Sequence, residues 1–592
     1  MTDPAVENWL SIDFNKNTRK EAASFTDEEI KAHLDPKNRI EFGTAGLRGV
    51  MGAGYDRMNC LTVLQASQGL CVYLQDKYGK EGMAERGVVL GFDGRYNSRR
   101  FAHVAAAVFL TRGVKVYLID KSTSVTPLNA YLVKHLYALC GAQMTASHNP
   151  KQYNGYKVYG DNGAQIIPPV DSEVESRIQD NLRPWKEAVD LLDSECYLKD
   201  QTKTIDPYEE AIYAYIEQIS KELCRFPELN KQCDLRFVYT PMHGVGLPQA
   251  ISLLRKFKFP EKSFSVVSAQ AQPDPEFPTV AFPNPEEKGA LDMAIAQAKL
   301  EHTDYVLAND PDADRFTSCE KQKDGSWYRF GGDELGVLFS DWQILMAKRR
   351  GVDPKNCLVM NSTVSSRMLK ALADHYGAHY VDTLTGFKWL ANLAMKMTAE
   401  DPELAYCNAY EESLGSGLTM TVPDKDGISA CSVWCEMANY YRREKGITLH
   451  ERLEQIRDEV GYFAQYNSFY IYNDPEVLKR MFDEYRNNGD YKKKLGSLNV
   501  DDVRDVTLGY DSRMDDKKST LPVTPDEQML TMYFENGGVV TIRASGTEPK
   551  VKYYCEISDK SGMGEAQKKL DDLVKTVVDC FLQPTKYRLT SR

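Results

Sequence analysis

Short apolar runs alternate with amphipathic, helix-like patterns in the first three quarters of the chain. The runs GVVLGFD and VKVYLID have the length of strands, and SRRFAHVAAAVFLTRG between them has the apolar spacing of a helix. The alternation continues with LRFVYT and DYVLAN, and again with NCLVMN and LAYCNAY. Strand-like runs separated by helices are typical of βα units. The pattern therefore predicts three α/β domains with mixed, mainly parallel sheets.

The pattern changes near residue 450. Charged helices are predicted from ERLEQIRDEV and VLKRMFDEYR, and the strand-like runs GGVVTIRA and KVKYYCEI then flank a loop. This arrangement favours a smaller α+β domain at the C-terminus. We therefore predict four domains with boundaries at 1–205, 206–322, 323–450 and 451–592.

Composition narrows the class of protein. The 592 residues are 42% apolar and 27% charged, which is ordinary for a globular chain with several cores. A formal charge of -12 argues against a nucleic-acid partner, because such binding requires a surplus of basic residues. The N-terminus lacks a basic segment followed by an apolar one, and the apolar runs are too short to span a bilayer. We expect a cytoplasmic protein without a membrane partner.

Three polar loops directly follow apolar runs: TASHNP, DPDADR and YEESLGSG. Ligands of open parallel sheets bind beyond the carboxyl ends of the strands. We therefore expect the chemistry of this protein in these loops.

DPDADR places Asp310, Asp312 and Asp314 at every second position. In an extended chain this spacing points all three carboxylates to one side, where they repel one another unless a cation is bound. Mg²⁺ is the usual ion where a phosphate supplies a further oxygen ligand. An EF-hand calcium loop is excluded, because Arg315 and Lys321 occupy the positions of its glycine and its bidentate glutamate. A solvated acidic turn is the alternative.

TASHNP contains Ser147, for which three roles are considered. The nucleophile-elbow pattern GxSxG is missing around it, which disfavours hydrolase chemistry. Beside a metal site, a phosphorylated Ser147 would supply an oxygen ligand and carry a phosphoryl group. A plain turn before Asn149 and Pro150 is the alternative, and the hexapeptide alone does not exclude it.

YEESLGSG presents Glu411, Glu412 and Ser413 in a glycine-bearing loop. Adjacent carboxylates can accept hydrogen bonds from the vicinal hydroxyls of a sugar, although an exposed acidic turn explains this motif equally well by itself.

A fourth loop, RASGTEPK, lies between the two C-terminal strand-like runs and suits a phosphate. Its candidate phosphate-binding residues are Arg543, Ser545, Gly546, Thr547 and Lys550. A hairpin turn is the alternative. Neither a Walker A motif nor GxGxxG before a helix is present, so nucleotide binding is unsupported.

These four loops, in this order and together with EFGTAGLRG, resemble the α-D-phosphohexomutase superfamily, which includes phosphoglucomutase, phosphomannomutase and phosphopentomutase. The resemblance spans the whole chain. It implies four domains around a central active-site cleft, each contributing one loop. It also implies an intramolecular phosphotransferase, an isomerase, that acts on small sugar phosphates with Mg²⁺ and with glucose 1,6-bisphosphate as intermediate and activator.

The resemblance assigns roles to further residues. It makes Ser147 the phosphoserine and a metal ligand beside Asp310, Asp312 and Asp314. The basic and proton-transferring residues near the reacting phosphate are Arg48, His148, Lys157 and Arg315. The implied substrate-binding residues are Thr385, Gly386, Lys388, Glu411, Glu412, Ser413 and Lys425, and RASGTEPK holds the phosphate that is not transferred.

The sugar is indicated by two conflicting resemblances. The loop EESLGSG resembles the hexose-type EESFGTGS, whereas the frame of FGTAGLRG, TASHNPKQYNGYKVY and LANDPDADR resembles the branch with phosphopentomutase and glucose-1,6-bisphosphate synthase. That branch often has alanine where Ser413 stands. We expect a phosphoglucomutase, with a phosphopentomutase or dual-specificity mutase as the alternative. A glucose-1,6-bisphosphate synthase and a non-catalytic sugar-phosphate-binding protein are the remaining candidates.

Overall fold

A computed structural model describes residues 3–43, 46–194, 202–525, 527–544 and 549–591. The chain divides into two compact units, Met1–Arg350 with Phe387–Leu449, and Gly351–Gly386 with His450–Arg592. Within the described ranges, no helix has the length and apolar character needed to cross a bilayer.

The first unit begins with helices that the sequence pattern did not predict. They are α1 (Pro4–Ile12), α2 (Lys16–Ala22) and α3 (Asp27–His33). Trp9 of α1 is fully buried in a small apolar cluster with Tyr55 and Leu61. This cluster attaches the helical segment to the domain that follows.

The first sheet has six strands in the order β1-β5-β4-β2-β3-β6. These strands are β1 (Leu47–Val50), β2 (Val88–Phe92), β3 (Val116–Leu118), β4 (Cys140–Met144), β5 (Tyr153–Tyr159) and β6 (Thr204–Ile205). The helices of this region are α4 (Cys60–Arg86), α5 (Ser98–Thr111), α6 (Thr126–His135), α7 (Val170–Gln179) and α8 (Lys186–Ser194). The chain runs from β2 to β3 on one side of β2 and returns to β4 on the other, with all three strands parallel. The loops after β2 and β4 therefore meet at a topological switch point, where ligands bind in such sheets.

The second sheet has five strands in the order β11-β10-β9-β7-β8. They are β7 (Phe237–Thr240), β8 (Phe264–Val266), β9 (Tyr305–Asn309), β10 (Phe316–Lys321) and β11 (Trp327–Arg329). The accompanying helices are α9 (Tyr208–Leu223), α10 (Pro227–Asn230), α11 (Leu247–Lys256) and α12 (Asp292–Leu300). β7, β8 and β9 are parallel, and the antiparallel turn from β9 to β10 carries DPDADR.

The third α/β segment is divided between the two units. The first unit contains α13 (Gly332–Arg349), α15 (Phe387–Glu400), α16 (Gly427–Tyr440) and the antiparallel pair β14 (Ala405–Glu411) and β15 (Gly415–Gly417). The second unit contains α14 (Met368–Tyr376) and the parallel pair β12 (Cys357–Ser362) and β13 (His379–Thr383).

The C-terminal part of the second unit is an antiparallel sheet in the order β16-β22-β21-β20-β18-β17, with β19 paired to β18. Its strands are β16 (Tyr462–Ile471), β17 (Lys494–Leu495), β18 (Leu498–Asp505), β19 (Tyr510–Asp511), β20 (Met529–Phe534), β21 (Val539–Ala544) and β22 (Lys550–Asp559). The helices are α17 (Leu449–Val460), α18 (Pro475–Arg486), α19 (Met563–Val577) and α20 (Pro584–Tyr587). The predicted fold class, three α/β domains with mixed sheets and a C-terminal α+β domain, is confirmed. The four domain boundaries stay a prediction.

A buried carboxylate in the second unit holds the start of α14. Glu556 of β22 accepts hydrogen bonds from Ser366 Oγ at 2.5 Å and from the Arg367 backbone N–H at 3.0 Å. Burial raises the pKa of Glu556 from 4.5 to about 7, although these hydrogen bonds favour the charged form.

We expect this carboxylate to make the second unit less stable as the pH rises. A group whose folded-state pKa is raised contributes its full stability below the unfolded pKa, and that contribution disappears as the pH passes the folded pKa. Between pH 5 and pH 8 the free energy of unfolding should therefore fall by up to about 3 kcal/mol. Urea unfolding at both pH values checks this, and Glu556→Gln should flatten the dependence. An equally steep dependence in that variant would contradict the assignment.

Candidate active site

Two loops meet at the carboxyl edge of the first sheet. Arg95, in the loop after β2, is 5% exposed, and its guanidinium donates to the carbonyl oxygens of Ser147 and Asn149, both at 2.6 Å, and of Pro150 at 3.0 Å. Asp93 lies 3.3 Å from Arg95 Nε and supplies the opposite charge. Arg95 therefore fixes the backbone of the serine loop, TASHNP (residues 145–150). Arg95 was not among the predicted site residues, although GFDGR is also a polar loop directly after a strand.

Ser147 is buried and has a left-handed backbone with φ of 51°. Its N–H donates to Thr145 Oγ1 at 2.9 Å, and its hydroxyl donates to Asp310 Oδ2 at 2.8 Å. A left-handed non-glycine residue typically stores about 1–3 kcal/mol of strain, and such residues cluster at functional sites. The turn considered from the sequence is thus present, and it aims the hydroxyl at the acidic loop.

Asp310, Asp312 and Asp314 converge, with one oxygen of each within 4.8 Å of the others. The expected extended geometry of DPDADR is wrong: the segment is a turn, and Ala313 has a φ of 57°. The turn folds the carboxylates together after the strand has ended. Burial, followed by the charges of Asp312 and Asp314, raises the pKa of Asp310 well above its usual range.

Lys157 of β5 is the main counter-ion of the triad. Its Nζ lies 2.7 Å from Asp312 Oδ2 and 2.8 Å from Asp314 Oδ2. Burial alone would raise the pKa of Asp314, but Lys157 and then Lys425 lower it below its usual range. Thr126 Oγ1 donates to Asp312 Oδ2 at 2.7 Å, a contact between residues 186 positions apart that no local motif indicates.

The triad retains buried oxygens that fit a metal ion. Asp312 Oδ1 and Asp314 Oδ1 are buried without a hydrogen-bond partner. Buried carboxylate oxygens normally have partners, so two such atoms in one cluster call for an explanation. A hard divalent cation with oxygen ligands, such as Mg²⁺, supplies one. The donor set therefore agrees with the predicted magnesium site.

Three further basic residues lie in or beside the serine loop. Arg48 of β1 is exposed, with Nη1 3.5 Å from Asn149 Oδ1. Arg315 is largely buried, and its Nε lies 4.0 Å from Asp310 and 3.9 Å from Asp314. His148 Nδ1 lies 3.3 Å from Ser147 Oγ. Desolvation of the imidazole, with Arg315 and Arg48 adding to it, lowers the pKa of His148 well below its usual value, so the ring is neutral at pH 7.

The loop that the resemblance assigns to sugar binding, YEESLGSG (residues 410–417, the sugar loop), reaches the same site through a lysine. Glu411 ends β14, and Lys425 Nζ lies 3.9 Å from Glu411 Oε2 and 3.6 Å from Asp314 Oδ2. Glu412 and Ser413 are half-buried in the loop. Glu286, which was not among the predicted site residues, interacts electrostatically with Arg315 and Glu412. Burial raises its pKa, Arg315 opposes that rise, and Glu412 adds to it.

The remaining predicted residues are dispersed. Lys388 of α15 is buried in the first unit, with its ammonium 5.4 Å from the Trp389 ring. In the second unit, Arg543 donates to Thr385 Oγ1 and lies 3.8 Å from Glu527 Oε2, so these two predicted residues are in contact. Two more predicted residues belong to that unit, and three lie outside the described residues. Gly386 has a φ of 108° and Lys550 lies 4.7 Å from the Phe469 ring, whereas Ser545, Gly546 and Thr547 are not described.

The fold and the site define an α/β phosphoryl-transfer enzyme in which a serine stands beside an acidic turn that could hold a metal ion. Four models of the phosphoglucomutase/phosphomannomutase family match the chain in order: the alpha/beta/alpha domains I, II and III over residues 39–184, 213–325 and 331–459, and the C-terminal domain over residues 493–573. The chain belongs to this family, within the α-D-phosphohexomutase superfamily. It is an enzyme of the mutase class, an isomerase that transfers a phosphoryl group.

Relatives cover nearly the whole chain. A human phosphopentomutase is 40% identical over 609 residues, with 99% of this chain and 97% of the relative covered. A human glucose 1,6-bisphosphate synthase is 38% identical over 610 residues, covering 100% of this chain and 96% of the relative. Among solved structures, the open form of pp63/parafusin, a phosphoglucomutase from Paramecium, has a TM-score of 0.65 at 18% identity and covers 91% of this chain and 94% of that chain. At that identity, the likeness shows the fold alone.

Proposed function

We propose that this chain is a phosphoglucomutase that interconverts glucose 1-phosphate and glucose 6-phosphate through phosphorylated Ser147. The observation that carries the proposal is the 2.8 Å contact from Ser147 Oγ to Asp310, within a triad that keeps two buried oxygens without partners. A serine in this position can accept and return a phosphoryl group next to a metal ion.

In the forward step, the bond between phosphorus and Ser147 Oγ breaks and a bond to a sugar hydroxyl oxygen forms. The proton of that hydroxyl has to end on Ser147 Oγ. His148 is neutral and lies 3.3 Å from that oxygen, so it can accept the proton and pass it on. The product is glucose 1,6-bisphosphate, which reorients and returns its other phosphate to Ser147.

The basic residues offset the charge of the reacting phosphate. A loose phosphoryl-transfer transition state spreads negative charge over its equatorial oxygens, so catalysis depends on positioning and counter-charge. Arg48 and Arg315 surround the loop, and Arg95 holds the serine backbone in place. Bound to Asp310, Asp312 and Asp314, Mg²⁺ would neutralise phosphoryl charge and hold an oxygen of the phosphoserine.

The sugar loop favours glucose phosphate as the substrate. Glu411 and Glu412 can accept hydrogen bonds from vicinal hydroxyls, and Ser413 offers a further hydroxyl in the same loop. The second candidate is a phosphopentomutase that interconverts ribose 1-phosphate and ribose 5-phosphate. It is supported by the full-length similarity to the human phosphopentomutase.

A substrate panel tests this choice. With glucose 1,6-bisphosphate added, kcat/KM should be higher for glucose 1-phosphate than for mannose 1-phosphate or ribose 1-phosphate. Ser413→Ala should lower the ratio of glucose to ribose activity about tenfold, because a substrate hydroxyl then loses its partner. Ser416→Ala is the matched control, since Ser416 belongs to the same motif but lies in strand β15 and is only 5% exposed. A Ser413→Ala ratio equal to that of the control would contradict the assignment.

One rival activity has its own assay. A glucose 1,6-bisphosphate synthase would use the same serine and metal site but take its phosphate from another donor. The similarity to the human glucose 1,6-bisphosphate synthase makes this test worthwhile. Formation of bisphosphate from glucose 1-phosphate and 1,3-bisphosphoglycerate, at a rate above mutase turnover, would favour the synthase.

A further inference from the structure

Lys425 occupies a junction within the first unit. It lies in the loop between β15 and α16, with 7% of its surface exposed. Its ammonium is 3.6 Å from Asp314 Oδ2 on the metal-binding turn and 3.9 Å from Glu411 Oε2 on the sugar loop. A displacement of about 1 Å in a catalytic group can cost 10²-fold in rate, so the position of this ammonium matters.

Asp424 contacts Lys425 but not the triad. Its side chain is 1% exposed, and Oδ2 accepts hydrogen bonds from Tyr159 Oη at 3.0 Å and Gln165 Nε2 at 3.0 Å. The other oxygen, Oδ1, accepts the Lys425 backbone N–H at 2.7 Å and lies 3.6 Å from its Nζ. One oxygen thus fixes the carboxylate to the first domain, and the other faces the lysine.

Glycines at the end of the sugar loop pack against the aliphatic part of the Lys425 side chain and against its neighbour Phe387. A Cβ atom on Gly415 would lie 2.1 Å from Lys425 Cδ, and one on Gly417 would lie 2.5 Å from Phe387 Cζ. The Phe387 ring centroid in turn lies 5.7 Å from Lys425 Nζ. Gly415 therefore packs directly against the aliphatic part of the Lys425 side chain, and any side chain at position 415 would displace it.

We infer that Asp424 is a positioning residue that holds the Lys425 ammonium between Asp314 and Glu411. This inference rests on the proposed function, because the two carboxylates belong to the metal-binding turn and the sugar loop. The position of the Lys425 ammonium is then determined by three neighbours outside the metal-binding turn: Asp424, Gly415 and Phe387. The lysine then connects the loop that reads the sugar to the turn that holds the metal.

Binding of glucose 1-phosphate to a variant that cannot turn it over provides the test. In a Ser147→Ala background, Asp424→Asn should raise Kd about tenfold by calorimetry, because the ion-pair partner 3.6 Å from the Lys425 ammonium loses its charge. Lys425→Met should raise Kd at least as much. If Asp424 acts through Lys425, adding Asp424→Asn to Lys425→Met changes Kd no further. Multiplied effects in the combined variant, or an unchanged Kd in Asp424→Asn alone, would overturn the inference.

Two further variants separate positioning from stability. Asp426 is also buried, but it bonds to Tyr215 and to the first N–H groups of α16, so Asp426→Asn should lower Tm and leave Kd unchanged. Gly415→Ala should raise Kd as Asp424→Asn does, since the added methyl group displaces the Lys425 side chain. If Asp426→Asn raises Kd equally, the effect is one of general destabilisation and the inference fails.

A crystal structure of Asp424→Asn gives a readout that does not depend on the sugar. The Lys425 ammonium should move away from its contact 3.6 Å from Asp314. An unmoved ammonium overturns the positioning role even in an active mutase. If the ammonium moves in the variant while the parent protein is inactive on every aldose phosphate, the positioning role stands and the proposed function is rejected.

Discussion

Ser147→Ala should abolish mutase turnover, with kcat falling by at least about 10³-fold, because the phosphoryl group then has no oxygen to return to. The fold should survive, since the hydroxyl makes few contacts and Arg95 holds the loop through backbone carbonyls. Ser24→Ala is a matched control, because Ser24 is exposed and bonds only to Glu21 O, at 2.7 Å, in the part of the chain that the structure describes.

Mass spectrometry gives the second readout for this serine. After incubation with glucose 1,6-bisphosphate, the parent protein and Ser24→Ala should carry one phosphoryl group on the peptide that contains Ser147. A Ser147→Ala variant with the parental rate, or a working enzyme whose Ser147 stays unmodified, would contradict the carrier assignment.

Lys157→Met should have the largest effect on stability. The ammonium lies 2.7 Å from Asp312 and 2.8 Å from Asp314, and all three side chains are buried. Removing one partner leaves buried charges without compensation, which typically costs about 3–5 kcal/mol. Urea unfolding without metal should show this loss. Mg²⁺ should raise the Tm of the variant more than that of the parent, because the divalent ion then compensates both carboxylates.

The matched control for this substitution is Lys151→Met. Lys151 also forms an ion pair, at 2.6 Å from Glu276, but both side chains are about half exposed. Exposed pairs contribute about 0–1 kcal/mol. If Lys157→Met loses no more stability than Lys151→Met, the triad does not depend on this lysine.

Much of the fold was predictable because it depends on local sequence pattern. The strand lengths and helical periodicity around GVVLGFD and DYVLAN indicated βα units, and β2 and β9 form there. The helices α1 to α3 were missed because they are short, and α3 has no buried residue to give an apolar stripe.

The site was predictable where its chemistry is contiguous in sequence. The three aspartates lie within five residues, so their shared role was visible, but the turn that gathers them was not, since it depends on left-handed Ala313. Arg95 and Asp424 act on residues tens to hundreds of positions away, or on a neighbour whose orientation only the fold determines. Such contacts leave no local pattern to read.

The second unit is assembled from two separate stretches of chain, and this has a consequence for biosynthesis. Residues 351–386 leave the ribosome well before β18 and β22, yet Asp382 pairs with Arg504 at 2.8 Å and the start of α14 is held by Glu556. The contacts that this segment makes with Arg504 and Glu556 therefore form only when translation is nearly finished, so the second unit is completed late in synthesis.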